Sequence, residues 1–128
     1  MRPPADRRFS RSHVWALRDG LGDVRAGLTH VPGGFLGDVV SVELPPTRTE
    51  VSAGEPIGLV ESSSTVFELF SPLSGTVVDV IAEAGAAPRK VTEDPYGGGW
   101  LLKIRPSDPA ELDGLLGAEE YERFAGEG

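Results

Sequence analysis

Cysteine is absent from this 128-residue chain. That excludes a disulfide framework, a thiolate metal site and a cysteine nucleophile together, and it fits a reducing compartment. Lysine is almost absent: Lys90 and Lys103 are the only two. No apolar run reaches the ~18 residues that a membrane-spanning helix needs. Arg2, Arg7, Arg8 and Arg11 come early, but no apolar stretch follows them, so no secretory leader is expected. A cytoplasmic location is the expectation. There is also no Gly-x-Ser-x-Gly elbow, no Walker A run and no Gly-x-Gly-x-x-Gly fingerprint. A hydrolase triad or a nucleotide loop therefore has no anchor in this chain. Only two histidines are present, His13 and His30, and a metal site built on them is not expected.

The length suits one domain, and 39% hydrophobic with 25% charged residues rules out gross disorder. Seventeen glycines and eleven prolines predict many turns, hence short strands rather than long helices. The net charge of −8 is unevenly spread. Residues 1–13 hold four arginines and one aspartate, a net +3, so the remaining 115 residues carry −11. An acidic body repels phosphate backbones and anionic lipid, so neither nucleic acid nor membrane is expected as a partner. The basic stretch 1–12 is expected to be a disordered tail ahead of a domain spanning 13–128.

Alternation and turn residues place the strands. His13 to Arg18 and Val24 to Thr29 flank an Asp19-Gly20 hairpin signal. Pro32, Gly33 and Gly34 argue against a stable helix in 30–37. Asp38 to Leu44 alternates as a strand and stops at Pro45-Pro46. Ile57 to Ser62 and Val66 to Phe70 read as a hairpin around a polar tip, Ser63-Ser64-Thr65, and Thr76 to Ile81 follows as a strand. Residues 83–99 read as loop and Trp100 to Arg105 as the last strand. Asp108-Pro109-Ala-Glu111 then carries the cap, first-turn proline and first-turn acid of a helix start.

The run Val51-x-Ala-Gly-Glu-Pro-x-Gly-x-Val-Glu-Ser62, followed by Ser71-Pro-x-Ser-Gly75, resembles lipoyl and biotinyl carrier domains. Further pieces resemble the glycine cleavage H-protein family in particular. They are His13-x-Trp15, Gly27-Leu-Thr29, Leu36-Gly-Asp38, Val42-Glu-Leu-Pro45, Glu93-Asp-Pro-Tyr-Gly97, Gly99-Trp-Leu-x-Lys-Ile104 and Ser107-Asp-Pro109, in matching order from about residue 10 to 124. The resemblance implies a mainly β fold: a flattened barrel or sandwich of two antiparallel sheets, quasi two-fold, with a short C-terminal helical segment. It also implies a carrier rather than an enzyme. In the family a lysine at the tip of the central hairpin bears a lipoyl group. That arm shuttles an aminomethyl group between a pyridoxal-phosphate decarboxylase and a folate-dependent aminomethyltransferase, and a flavin dehydrogenase reoxidises it.

The family tip reads Glu-Ser-Val-Lys-Ala, whereas this chain reads Glu61-Ser62-Ser63-Ser64-Thr65. Ser64 falls where the resemblance puts the lysine, and a hydroxyl cannot form the amide that an ε-amine forms. Ala87 and Arg89 also stand where the family has Asn and Glu beside the proline of that loop. Lipoate is therefore expected for the family but not for this tip, so no cofactor is expected. Three readings of the tip stay open: a plain polar turn, a substrate carrier with an ester or phosphodiester on Ser63 or Ser64, and a phosphorylated regulatory site. The leading expectation is a repurposed, monomeric docking module that meets a partner enzyme through Glu61, Ser62, Thr65 and Glu68. The acidic pair would steer a basic partner. The alternatives are the serine-linked carrier in a specialised biosynthetic pathway, and a component of the glycine cleavage system itself.

Overall fold

The computed structural model describes residues 2–81 and 87–127, with the side chain of Glu127 left aside. Among the described residues nine strands form two antiparallel sheets. They are β1 (Arg8–Phe9), β2 (Val14–Arg18), β3 (Val24–Leu28), β4 (Val39–Glu43), β5 (Glu50–Val51), β6 (Pro56–Ser62), β7 (Val66–Phe70), β8 (Gly75–Val80) and β9 (Leu102–Pro106). The larger sheet runs β1-β2-β3-β9-β8-β5 and the smaller β4-β6-β7. The two pack as an open sandwich, not a closed barrel. Helical pieces are short: α1 (Gly33–Leu36), α2 (Lys90–Glu93), a 3-10 helix (Pro109–Gly114) and α3 (Ala118–Glu127).

Period-two alternation decides what each sheet buries. Val14 and Ala16 of β2, Val24, Ala26 and Leu28 of β3, and Leu102 and Ile104 of β9 turn inward. There they meet Val60 and Leu69 of the small sheet in one buried cluster. Trp15 of β2 points to the opposite face and joins a second cluster with Phe9, Leu116 and Tyr121. Gly27 stands opposite Trp15 in the register. A Cβ at Gly27 would lie 2.9 Å from the Trp15 ring, so the indole lies flat only because position 27 has no side chain. The Trp15 Nε1–H donates to the Pro95 carbonyl at 2.9 Å, which ties the loop before β9 to this outer layer.

Several elements differ from what the sequence leads one to expect. Arg8 and Phe9, inside the expected tail, pair with Ala16 and Trp15 as β1, and Phe9 is fully buried. The reason is apolar: Phe9 stacks on Tyr121 with ring centroids 4.8 Å apart. Arg7 adds a guanidinium 4.6 Å from the Trp15 ring centroid and donates to the Tyr96 carbonyl. Gly33–Leu36 makes one helical turn despite its glycines, held by the buried Leu36 side chain. Part of the expected 83–99 loop, Lys90–Glu93, is likewise a helical turn on a buried Val91, while residues 82–86 lie outside the described residues. Asp108 does cap, accepting from the Ala110 N–H at 3.1 Å, but the element it starts is 3-10. The Asp19 turn joins β2 and β3 as expected, its carboxylate accepting from the Leu21 and Asp23 N–H groups.

Candidate functional site

The β6–β7 hairpin is the feature from which a carrier's cargo would hang, and its register is well determined. Glu61 faces Val66, Val60 faces Phe67 and Leu59 faces Glu68. Val60 is fully buried, which fixes Val60 and Phe67 on the inner face and puts Glu61, Val66, Leu59 and Glu68 on the outer one. A Cβ at Gly58 would collide with the Glu43 carbonyl, so β4 and β6 approach closely only because glycine is there. On the outer face Ser41, Glu61 and Val66 form one cross-strand row, and Glu43, Leu59 and Glu68 the next. Glu61 and Glu68 thus share a face as diagonal neighbours rather than as a directly opposed pair. Diagonal cross-strand positions lie roughly 7–8 Å apart.

The turn itself is built by Ser62. Its N–H donates to the Thr65 carbonyl at 2.8 Å and closes the hairpin. Its hydroxyl accepts from the Ser64 N–H at 3.3 Å and the Thr65 N–H at 3.1 Å, and donates to the Thr65 carbonyl at 3.2 Å. Serine is suited to this job because a short hydroxyl side chain can replace a missing backbone partner. Ser63, Ser64 and Thr65 are exposed. Ser63 contributes its N–H to the Asp38 carbonyl at 3.2 Å, tying the turn to the segment between α1 and β4. No hydrogen bond among the described residues uses the Ser63 or Ser64 hydroxyl. The expected site residues therefore divide: Ser62 is consumed in holding the turn, whereas Ser63 and Ser64 present free hydroxyls.

Neither lysine belongs to this hairpin. Lys90 opens α2 and Lys103 lies within β9, where its Nζ is 3.8 Å from an Asp19 carboxylate oxygen. An amide-linked prosthetic arm has no amine at the β6–β7 turn, so the residues present there do not fit an amide-bound lipoyl group. Among the described residues no group of three or more His, Asp or Glu side chains is placed to hold a metal ion. No helix among them is long and apolar enough to cross a membrane.

A family model described as glycine cleavage H-protein matches residues 7–128. The chain belongs to the glycine cleavage H-protein family. The glycine cleavage system H protein of Geobacillus kaustophilus (strain HTA426) is 44% identical over 128 residues, covering both chains completely. That of Anaeromyxobacter sp. (strain K) is 45% identical over 127 residues, covering 99% of this chain and 98% of its own. A crystal structure of the H protein from Mycobacterium marinum superimposes with a TM-score of 0.88 at 40% identity, covering 97% of this chain and 99% of that one. H proteins are carriers without catalytic activity of their own, and this chain shares their fold over 97% of its length.

Both histidines are engaged by tyrosine hydroxyls. The His13 Nδ1 and Tyr121 hydroxyl are hydrogen-bonded at 2.6 Å, and the same hydroxyl meets Thr29 Oγ1 at 2.6 Å. His30 Nδ1 pairs with the Tyr96 hydroxyl at 2.7 Å. Burial lowers both imidazole pKa values from 6.5, with a smaller contribution at His13 from nearby His30. Burial pushes the Tyr121 hydroxyl up to about 12. These groups fasten α3 and the Pro95 loop onto the large sheet. The sequence reading missed the tyrosine partners, which lie 66 and 108 residues away along the chain. It also missed exposed apolar residues beside the turn. Val66 was within reach of sequence alone, since alternation from Glu68 puts it on the solvent face.

Proposed function

We propose that this chain takes the H-protein position in a glycine cleavage system, as a cytoplasmic carrier-fold component that docks on the system's enzymes through the β6–β7 turn. The observation that carries this reading is the 44–45% identity sustained over 98–100% of both chains. A likeness that continues through both sheets and α3 favours the ancestral setting over a module moved to other work. What the turn brings to its partners is a hydroxyl-tipped surface and not an amide-bound arm, because position 64 is serine.

Binding tests this directly. The unmodified chain, titrated calorimetrically against the glycine decarboxylase and the aminomethyltransferase encoded in the same genome, should bind at least one of them saturably. Absence of binding to both at high protein concentration would sink the proposal. A second reading is favoured by the free, exposed hydroxyls of Ser63 and Ser64: a cargo held there through an ester or phosphodiester. It requires an adduct on tryptic peptides covering 62–65 in protein from the native host, released by mild base if it is an ester. Peptides that are unmodified under all growth conditions would exclude it.

A further inference from the structure

The basic start of this acidic chain plays no part in the serine turn. Residues 1–18 hold five arginines and one aspartate, against a net charge of −8 for the whole. Arg8 and Arg18 lie beside β2, at one edge of the large sheet. β1 covers that edge for two residues only, with Arg8 opposite Ala16 and Phe9 opposite Trp15. Residues 5–7 form a turn and a bend instead of extending the pairing to Arg18.

Backbone groups along β2 alternate between its two neighbours. Val14 faces β1, its carbonyl accepting from the Ser10 N–H at 2.8 Å. The flanking odd-numbered residues face β3: the Thr29 N–H donates to the His13 carbonyl at 2.9 Å, and the Asp19 N–H to the Asp23 carbonyl at 2.8 Å. By this alternation Arg18 turns its N–H and C=O to the uncovered edge. No backbone hydrogen bond among the described residues uses either group.

A groove of about 320 Å³ opens at this edge, with Arg8, Leu17, Arg18, Leu112 and Asp113 in its lining. Arg8 donates to the Leu115 carbonyl and Arg18 to the Pro109 carbonyl. These bonds hold the two guanidinium groups at opposite ends of the 3-10 helix that carries Leu112 and Asp113. Neither arginine enters an ion pair among the described residues, and neither does Asp113. Asp6, the other acid of the groove, is held by Arg7 at 2.8 Å. Unpaired cations alone would suit a simple anion. An unpaired aspartate in the same groove calls for a positive group on the same ligand. Leu17 and Leu112, both half-buried, add an aliphatic wall.

We propose that this groove binds a free α-amino acid with an aliphatic side chain. The ligand lies beside Arg18 as a neighbouring strand residue would. Its carboxylate accepts from the Arg18 N–H and a guanidinium, and its ammonium donates to the Arg18 carbonyl and to Asp113. Its side chain rests on Leu17 and Leu112. One free N–H and one free C=O on a strand edge are what a single extended residue pairs with. The volume is at the small end of the roughly 300–1,000 Å³ of ligand pockets, which suits one residue. The site is separate from the β6–β7 turn and does not depend on docking there.

The test titrates the full, ¹⁵N-labelled chain with L-leucine and follows its amide signals. Those of Leu17, Arg18 and Asp113 should shift saturably. 4-Methylpentanoate, which lacks the ammonium, and 3-methylbutylamine, which lacks the carboxylate, should each bind about tenfold or more weakly. Arg18→Gln and Asp113→Asn should each weaken L-leucine by about tenfold, with amide signals remote from the groove unchanged. Arg89→Gln, an exposed arginine elsewhere, should change nothing. Asp113→Asn alone carries the test if Arg18→Gln disturbs the 3-10 helix. No saturable shift with L-leucine, shifts only outside the groove, or undiminished binding by the variants would overturn the site. Equal binding of 4-methylpentanoate would leave a plain anion groove and overturn the amino-acid assignment.

Discussion

Two aromatic groups in this molecule meet opposite fates. On the outer side of the large sheet, Phe9, Trp15 and Tyr121 are fully buried. Their polar atoms are matched one by one: the indole to Pro95, the Tyr121 hydroxyl to His13 and Thr29. Beside the serine turn, Phe35 leans on Phe67 but leaves more than half its surface in water. The first group joins segments from the N-terminal strand, the Pro95 loop and α3, so it serves the fold. The second is paid for in exposed apolar surface without a matching gain in packing. Residues that do not stabilise the isolated chain are the ones best placed to serve a partner.

That contrast is sharpest at Phe9. Phe9→Ala should destabilise by about 3–5 kcal/mol, the usual cost of emptying a buried aromatic site. A urea-denaturation midpoint near the wild-type value would mean that residues 1–12 behave as the disordered tail their composition suggests. Next in size is Tyr121→Phe, which leaves His13 Nδ1 without its tyrosine partner and Thr29 Oγ1 with the Val31 N–H alone. A loss of about 0.5–1.5 kcal/mol is expected for the hydrogen bonds removed, again read by urea denaturation.

The same cluster makes stability depend on acidity. Burial holds both imidazoles below 6.5 when folded, so the unfolded chain binds more protons as the pH drops beneath that value. Their contribution is intact above 6.5 and is lost as the pH falls through the lowered folded values. Melting temperatures measured across that range should decline on the acid side, and His13→Gln should flatten the decline.

At the turn the effects shrink. Ser62→Ala removes a hydroxyl that accepts two N–H groups and should cost about 0.5–1.5 kcal/mol. Ser63→Ala and Ser64→Ala should stay within about 0.5 kcal/mol of wild type, as exposed substitutions away from special features do. Larger losses at 63 or 64 would mean those hydroxyls serve the fold after all.

Much of the fold was legible because alternation and turn chemistry are local. The Asp19 turn, the β6–β7 hairpin and the Asp108 cap all came from residues within a few positions of one another. What stayed hidden was decided at long range. Phe9 joins the structure because Tyr121 and Leu116 cover it, and nothing within Arg7-Arg8-Phe9 signals a strand. The turns at 33–36 and 90–93 contradict their glycine and loop character because Leu36 and Val91 are buried under neighbours remote in sequence. At the candidate site the sequence named the serines and the acidic pair, but it could not separate Ser62, which is spent on the turn, from Ser63 and Ser64, which are free. The bulge that exposes Val40 is likewise invisible to a strict period of two.

No lipoyl group is expected on any residue of this chain, because the β6–β7 turn has no lysine and Lys90 and Lys103 lie elsewhere. Intact-mass spectrometry of the protein isolated from its own host, with peptide mapping of every lysine, tests this most directly. The account predicts no dithiolane-bearing increment at any residue. A lipoyl mass mapped to Lys90, Lys103 or the turn would contradict it.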